Sequence, residues 1–73
     1  MSNIKLQPFQ DRVLSELDAL QGNLQRLRMF IGGPVFDTMQ TEDQDLMIRQ
    51  MNIMADYADV LQLRINRFKG IAS

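Results

Sequence analysis

The sequence predicts an all-α fold: an antiparallel helical hairpin of two long heptad-patterned helices with a short helical turn between them, assembled as a homo-oligomer. Three observations predict it. Val13, Leu17, Leu20, Leu24, Leu27 and Ile31 recur at steps of 4, 3, 4, 3 and 4, the period that keeps one stripe of a helix turned toward a partner helix. Met47, Met51, Met54, Ala58, Leu61, Ile65 and Phe68 continue the same alternation in the second half. Between the runs stands Gly32-Gly33-Pro34, a break that lets the second run fold back on the first.

Taken in order, residues 1–73 read as one helical-hairpin domain. A short polar lead runs to Gln7. Pro8 suits the first turn of a helix, where its missing N–H costs nothing, so the first helix is placed at about 8–31. Leu14 and Phe30 widen its seam. Gly22 and Asn23 are poor helix formers near its middle, at a cost of about 1 kcal/mol, but the apolar phase passes through them unbroken. Gly32 and Gly33 are expected to end the helix with left-handed cap geometry. A helical turn at about 34–39 follows, with Val35, Phe36 and Met39 expected to point inward and plug the closed end. Thr41 with Gln44 reads as a capping box, and Glu42 and Asp43 favour a positive helix terminus. The last helix is placed at about 42–69, with Gly70 as its cap. Leu46, Ile53, Tyr57 and Val60 form a second apolar line beside the main seam. A stripe that broad needs more than one neighbour.

Composition supports self-association. At 73 residues with 45% hydrophobic content, the chain is not disordered, yet a core this small rarely suffices without staples. The chain has no cysteine and no histidine, so disulfides and the usual zinc sites are missing. A net charge of −1 argues against a DNA-coating protein, and no apolar run approaches a membrane span. Charges are placed as an antiparallel pair would want them. Asp11, Glu16 and Asp18 lie early in the first helix, with Arg26 and Arg28 late. Glu42, Asp43 and Asp45 open the last helix, with Arg64, Arg67 and Lys69 at its end. Folded back, acids face bases at both ends.

Catalytic equipment is thin. Without His and Cys the commonest general base and the commonest thiol nucleophile are absent, and no catalytic residue, metal ligand or cofactor is assigned. The Asp56–Asp59 pair reads better as a solvated helix face than as a metal site. Six of the eight basic residues are arginines, which grip phosphate bidentately and stack on bases. The plain alternative is that Arg26, Arg28, Arg64 and Arg67 pair with acids across the hairpin. Met47, Met51 and Met54 read as core rather than as an adaptable groove. Phe9, near the chain start, either caps the core or stacks on a planar ligand. Tyr57 is expected to pack with its hydroxyl toward water.

The order DRVLSEL, RLRMFIGG with a downstream Phe36, then LMIRQMNIMADYADVLQLRI resembles the helical-hairpin domain shared by phage anti-CBASS sponges and the related Thoeris anti-defence sponges. The positions that carry the resemblance are Arg12-Val13 with Glu16, Arg26-Leu27 with Phe30-Ile31, and Gln50 with Met54, Tyr57, Leu61, Arg64 and Ile65, within a match from roughly Phe9 to Phe68. The resemblance implies a homo-oligomer, a hexamer being one candidate, in the cytoplasm of an infected bacterium. It implies sequestration, without cleavage, of cyclic di- or trinucleotides or cyclic ADP-ribose isomers in pockets between protomers. Cations for phosphates and aromatic or apolar faces for bases would come from Phe9, Arg12, Arg26, Arg28, Arg64 and Arg67. Arg26 stands where such sponges carry a lysine, so a planar fork replaces a point charge. Phe9 falls near their N-terminal aromatic and has no hydroxyl to donate. The rival expectation is a non-enzymatic coiled-coil interaction module that docks on a host or phage protein.

Overall fold

The computed structural model describes residues 6–68. Helix α1 spans Pro8–Ile31, the single-turn α2 spans Pro34–Asp37, and α3 spans Thr41–Phe68. The two long helices pack against each other as an antiparallel hairpin, with α2 folded against the end of α1. Pro8 is the first helical residue of α1, and the Gln10 side chain accepts a hydrogen bond from the Gln7 backbone N–H at 2.8 Å. That closes half of a capping box at a place where sequence reading had found only the proline.

Every seam residue is buried or half-buried. Val13, Leu17, Ala58, Leu61 and Ile65 form the tightest cluster, with Leu14, Leu20 and Phe68 against it and Leu61 wholly enclosed. Toward the loop, Leu24 and Phe36 are buried, while Leu27, Ile31, Met39, Met47, Met51 and Met54 are half-buried. The methionines therefore belong to the interhelical seam, where an unbranched thioether fills uneven gaps.

The closed end departs from the sequence reading in three ways. Gly32 and Gly33 end α1 without a left-handed residue: Gly32 has φ −82° and ψ −1°, and Gly33 is extended at φ −99°. Gly32 satisfies a terminal carbonyl by donating to Arg28, and Gly33 does the same for Phe30, each at 3.0 Å. Of the three residues expected to plug the end, Phe36 is buried and Met39 half-buried, but Val35 faces solvent. The Thr41–Gln44 capping box does not form. Thr41 is already helical, and the Gln44 side-chain amide instead donates to the Phe36 carbonyl at 2.7 Å. That bond ties the plug to the first turn of α3, the amide adding to the hydrogen bond that the Phe36 carbonyl already accepts from the Met39 N–H at 3.1 Å.

The hairpin is a rod. Its extents are 53 × 20 × 15 Å and its radius of gyration is 16.4 Å, against about 11 Å for a compact domain of this length. Two helices side by side cover one face of each and no more. The second apolar line of α3, Leu46, Ile53, Tyr57 and Val60, is accordingly 42% to 61% exposed. The expected last turn at Lys69 and the cap at Gly70 lie outside the described residues.

Candidate ligand-binding site

The rod separates the residues singled out from sequence. Phe9 and Arg12 lie in the first turns of α1, and Arg64 and Arg67 in the last turns of the antiparallel α3, all at the terminal end. Arg26 and Arg28 lie toward the loop. Phe9 and Arg28 are roughly 28 Å apart along α1 at 1.5 Å per residue. Within one protomer these six cannot close on one small ligand. Arg26 and Arg28 also diverge, because residues two apart point about 200° apart around a helix.

All five arginines of the set and Phe9 are exposed. The expected pairing of acids with bases across the hairpin does not take place among the described residues, where no arginine comes within the 4.0 Å of a carboxylate that defines an ion pair. Arg26 instead donates from Nη2 to Asn23 Oδ1 within its own helix and lies over Gly22. The cross-hairpin polar contact that does form is made by Tyr57, whose hydroxyl donates to Glu16 Oε2. The expected water-facing phenol holds, since both Tyr57 and Glu16 are exposed, and the hydroxyl has a carboxylate partner there as well. The hydrogen bond to Glu16 raises the Tyr57 pKa above its ordinary value near 10; lost solvation and the Glu16 charge add to the shift, and the nearby Arg64 charge opposes it.

One cleft opens between the long helices. It has a volume of about 440 Å³ and is lined by Gln21, Leu24, Gln25 and Arg28 of α1 and by Ala55, Ala58 and Asp59 of α3. The α1 residues follow the i, i+3, i+4, i+7 pattern of one helix face, and the α3 residues lie on one turn opposite. Two alanines facing Leu24 leave the space that larger seam residues fill elsewhere. Leu24 and Ala58 are buried and form an apolar floor; Gln21, Gln25, Arg28 and Asp59 are exposed at the rim. Of the six sequence-selected residues, only Arg28 reaches this cleft. Gln21, Gln25, Ala55 and Asp59 were missed. The available signal was a pair of small residues in one helix opposite a turn where Leu24 is flanked by carboxamides rather than by more apolar side chains. Among the described residues no group of three or more acidic side chains is placed to hold a metal ion, and no helix is long and apolar enough to cross a membrane.

Comparison with known proteins places these features in a family setting. A family model described as Sequestin matches residues 7–67. An uncharacterised 7.5 kDa protein from the denB-rIIB intergenic region of Enterobacteria phage T4 is 34% identical over 61 residues, covering 84% of this chain and 95% of the phage protein. No solved structure matches.

Proposed function

The chain belongs to the Sequestin family, and we propose that it is a phage immune-evasion sponge. It binds cyclic oligonucleotide or cyclic ADP-ribose type messengers in the cytoplasm of the infected host and withholds them without cleaving them. The family's name, with its sense of sequestering, and the phage relative support the coarse reading. The observation that carries the finer one is that Arg12, Arg26, Arg28, Arg64 and Arg67 are all exposed and form no ion pair among the described residues. Exposed cations held in no ion pair within their own hairpin are available for phosphates, which arginine grips with two parallel hydrogen bonds.

The rod shape adds a requirement. Because Phe9, Arg12, Arg64 and Arg67 lie at one end and Arg26 and Arg28 toward the other, a single pocket built from both groups takes residues from two protomers. The exposed Leu46, Ile53, Tyr57 and Val60 line of α3 is the natural seat for a second copy, since it repeats at heptad spacing and a lone hairpin leaves it in water.

A thermal-shift titration against cyclic dinucleotides, cyclic trinucleotides and cyclic ADP-ribose isomers tests this reading. A ligand at 100 times its dissociation constant stabilises a one-site native state by about 2.7 kcal/mol, so one messenger class should give a large shift and be recovered intact after denaturation. Arg26→Gln should abolish that shift while the assembly survives. The same apolar line favours a second reading, a module that docks on a host or phage protein. Absence of any shift, with the oligomer confirmed, would make that the better account.

A further inference from the structure

We infer that α3 is a self-complementary docking strip that takes α3 of a second copy antiparallel to it, across a twofold axis beside Ile53. The inference gives a direction and a set of pairings to the seat described above, and it holds whatever the assembly binds. Glu42, Leu46, Arg49, Ile53, Tyr57, Val60 and Arg64 fall at steps of 4, 3, 4, 4, 3 and 4 along α3, which keeps them within about 80° of arc at 100° per residue. All are exposed. The steps read the same from either end, so Ile53 is the midpoint of the strip. α1 widens the face. On it Phe9 lies two turns before Glu16 and Phe30 four turns after, and the Tyr57–Glu16 hydrogen bond sets that line beside the strip. Both phenylalanines are exposed.

The charges choose the direction. Laid antiparallel about Ile53, the strip sets Leu46 against the partner's Val60 and Ile53 against its own copy. Glu42 then meets the partner's Arg64. The chain cannot make that ion pair internally, because the helix holds the two residues about 33 Å apart. Arg49 comes over the ring of the partner's Tyr57, and a guanidinium is attracted to an aromatic face. Neither arginine arrives already engaged, since among the described residues none comes within 4.0 Å of a carboxylate. Laid parallel in register, the same strip would set Glu42, Arg49 and Arg64 each against its like, and like charges across an interface oppose association. A twofold axis makes every favourable contact twice. The pairing assigns Arg64 to the interface and leaves Arg12, Arg26 and Arg28 of α1 outside it.

The test combines charge reversal and cross-linking on the full chain, with self-association read by sedimentation and helix content by circular dichroism. Glu42→Arg and Arg64→Glu should each weaken association about tenfold, because every reversal turns two attractions into repulsions. The chain carrying both changes should return to within about threefold of the native value, since the pair is restored between copies with its signs exchanged. The sequence has no cysteine, so single cysteines report direction cleanly. Leu46→Cys mixed with Val60→Cys should cross-link through a short bismaleimide. Leu46→Cys alone should not, because the axis beside Ile53 holds the two copies of that position about 21 Å apart along the helices. A monomeric native chain, single reversals without effect, no recovery in the doubly reversed chain, or cross-linking of either cysteine variant to itself would overturn the inference.

Discussion

The terminal half of the hairpin and its loop half follow the same heptad step and pack differently. Near the termini, Val13 and Leu17 interlock with Ala58, Leu61 and Ile65, and Leu61 loses all contact with water. Nearer the loop Leu24 is buried, but the seam residues Leu27, Ile31, Met47, Met51 and Met54 are only half-buried, and a cleft opens beside Leu24. The difference lies in side-chain shape. Branched residues lock into a few rotamers and fill a seam densely. Methionines bend around gaps, and where the two halves meet, Ala58 at the edge of the tight cluster and Ala55 beside it leave a space by Leu24. One half holds the helices together, and the other keeps room between them.

Leu61→Ala should show this contrast at its largest. Removing a fully enclosed leucine costs about 2–5 kcal/mol, enough to unfold a small hairpin, whereas Met54→Ala in the half-buried seam should cost markedly less. Urea denaturation of both variants measures the gap, and equal losses would erase the distinction between the halves. Next comes a change on the uncovered face. Ile53→Asp should leave the helix content of the hairpin intact and weaken self-association about tenfold or more, as read by sedimentation, because a charge in an apolar interface goes unpaired. Unaltered association would move the contact to another face. Smaller still, Gly22→Ala should raise stability by about 1 kcal/mol. The added Cβ would stand 3.7 Å from the Arg26 guanidinium, an ordinary contact. The weakest effect concerns the bond between Tyr57 and Glu16. The folded state holds the phenol proton more tightly than the unfolded chain does. Its contribution is therefore complete below about pH 10 and lost as pH rises through the raised folded value. Tyr57→Phe should remove that alkaline loss, seen as a smaller difference between melts at about pH 9 and about pH 11.

The hairpin was legible because a 3.5-residue period forces the same residues inward in almost any partner arrangement. The seam from Val13 to Ile31 and from Met47 to Phe68 could be written down before any contact was known. The closed end was less legible because its features are choices among equivalent partners. Gln44 can reach back for the backbone of its own turn or outward to Phe36, and only the path of α2 decides. Glycines after a helix suggest a left-handed cap, yet a chain turning straight into Pro34 needs only compact and extended backbone at Gly32 and Gly33. The arginines could be chosen by type, and their division between two ends of a rod followed from the helix positions. The cleft was missed because it is made by what Ala55 and Ala58 lack. Periodicity records which positions face inward and carries no measure of the volume left over.

The connection between the long helices spans only residues 32–40, and that brevity sets a pace. Bringing the ends of so short a loop together costs little chain entropy, and the helices it joins are neighbours in sequence. Folds built from such local contacts form in microseconds to milliseconds. In the proposed assembly the slow event is then the meeting of copies, whose rate rises with concentration. How soon active assembly appears is governed by how much chain accumulates.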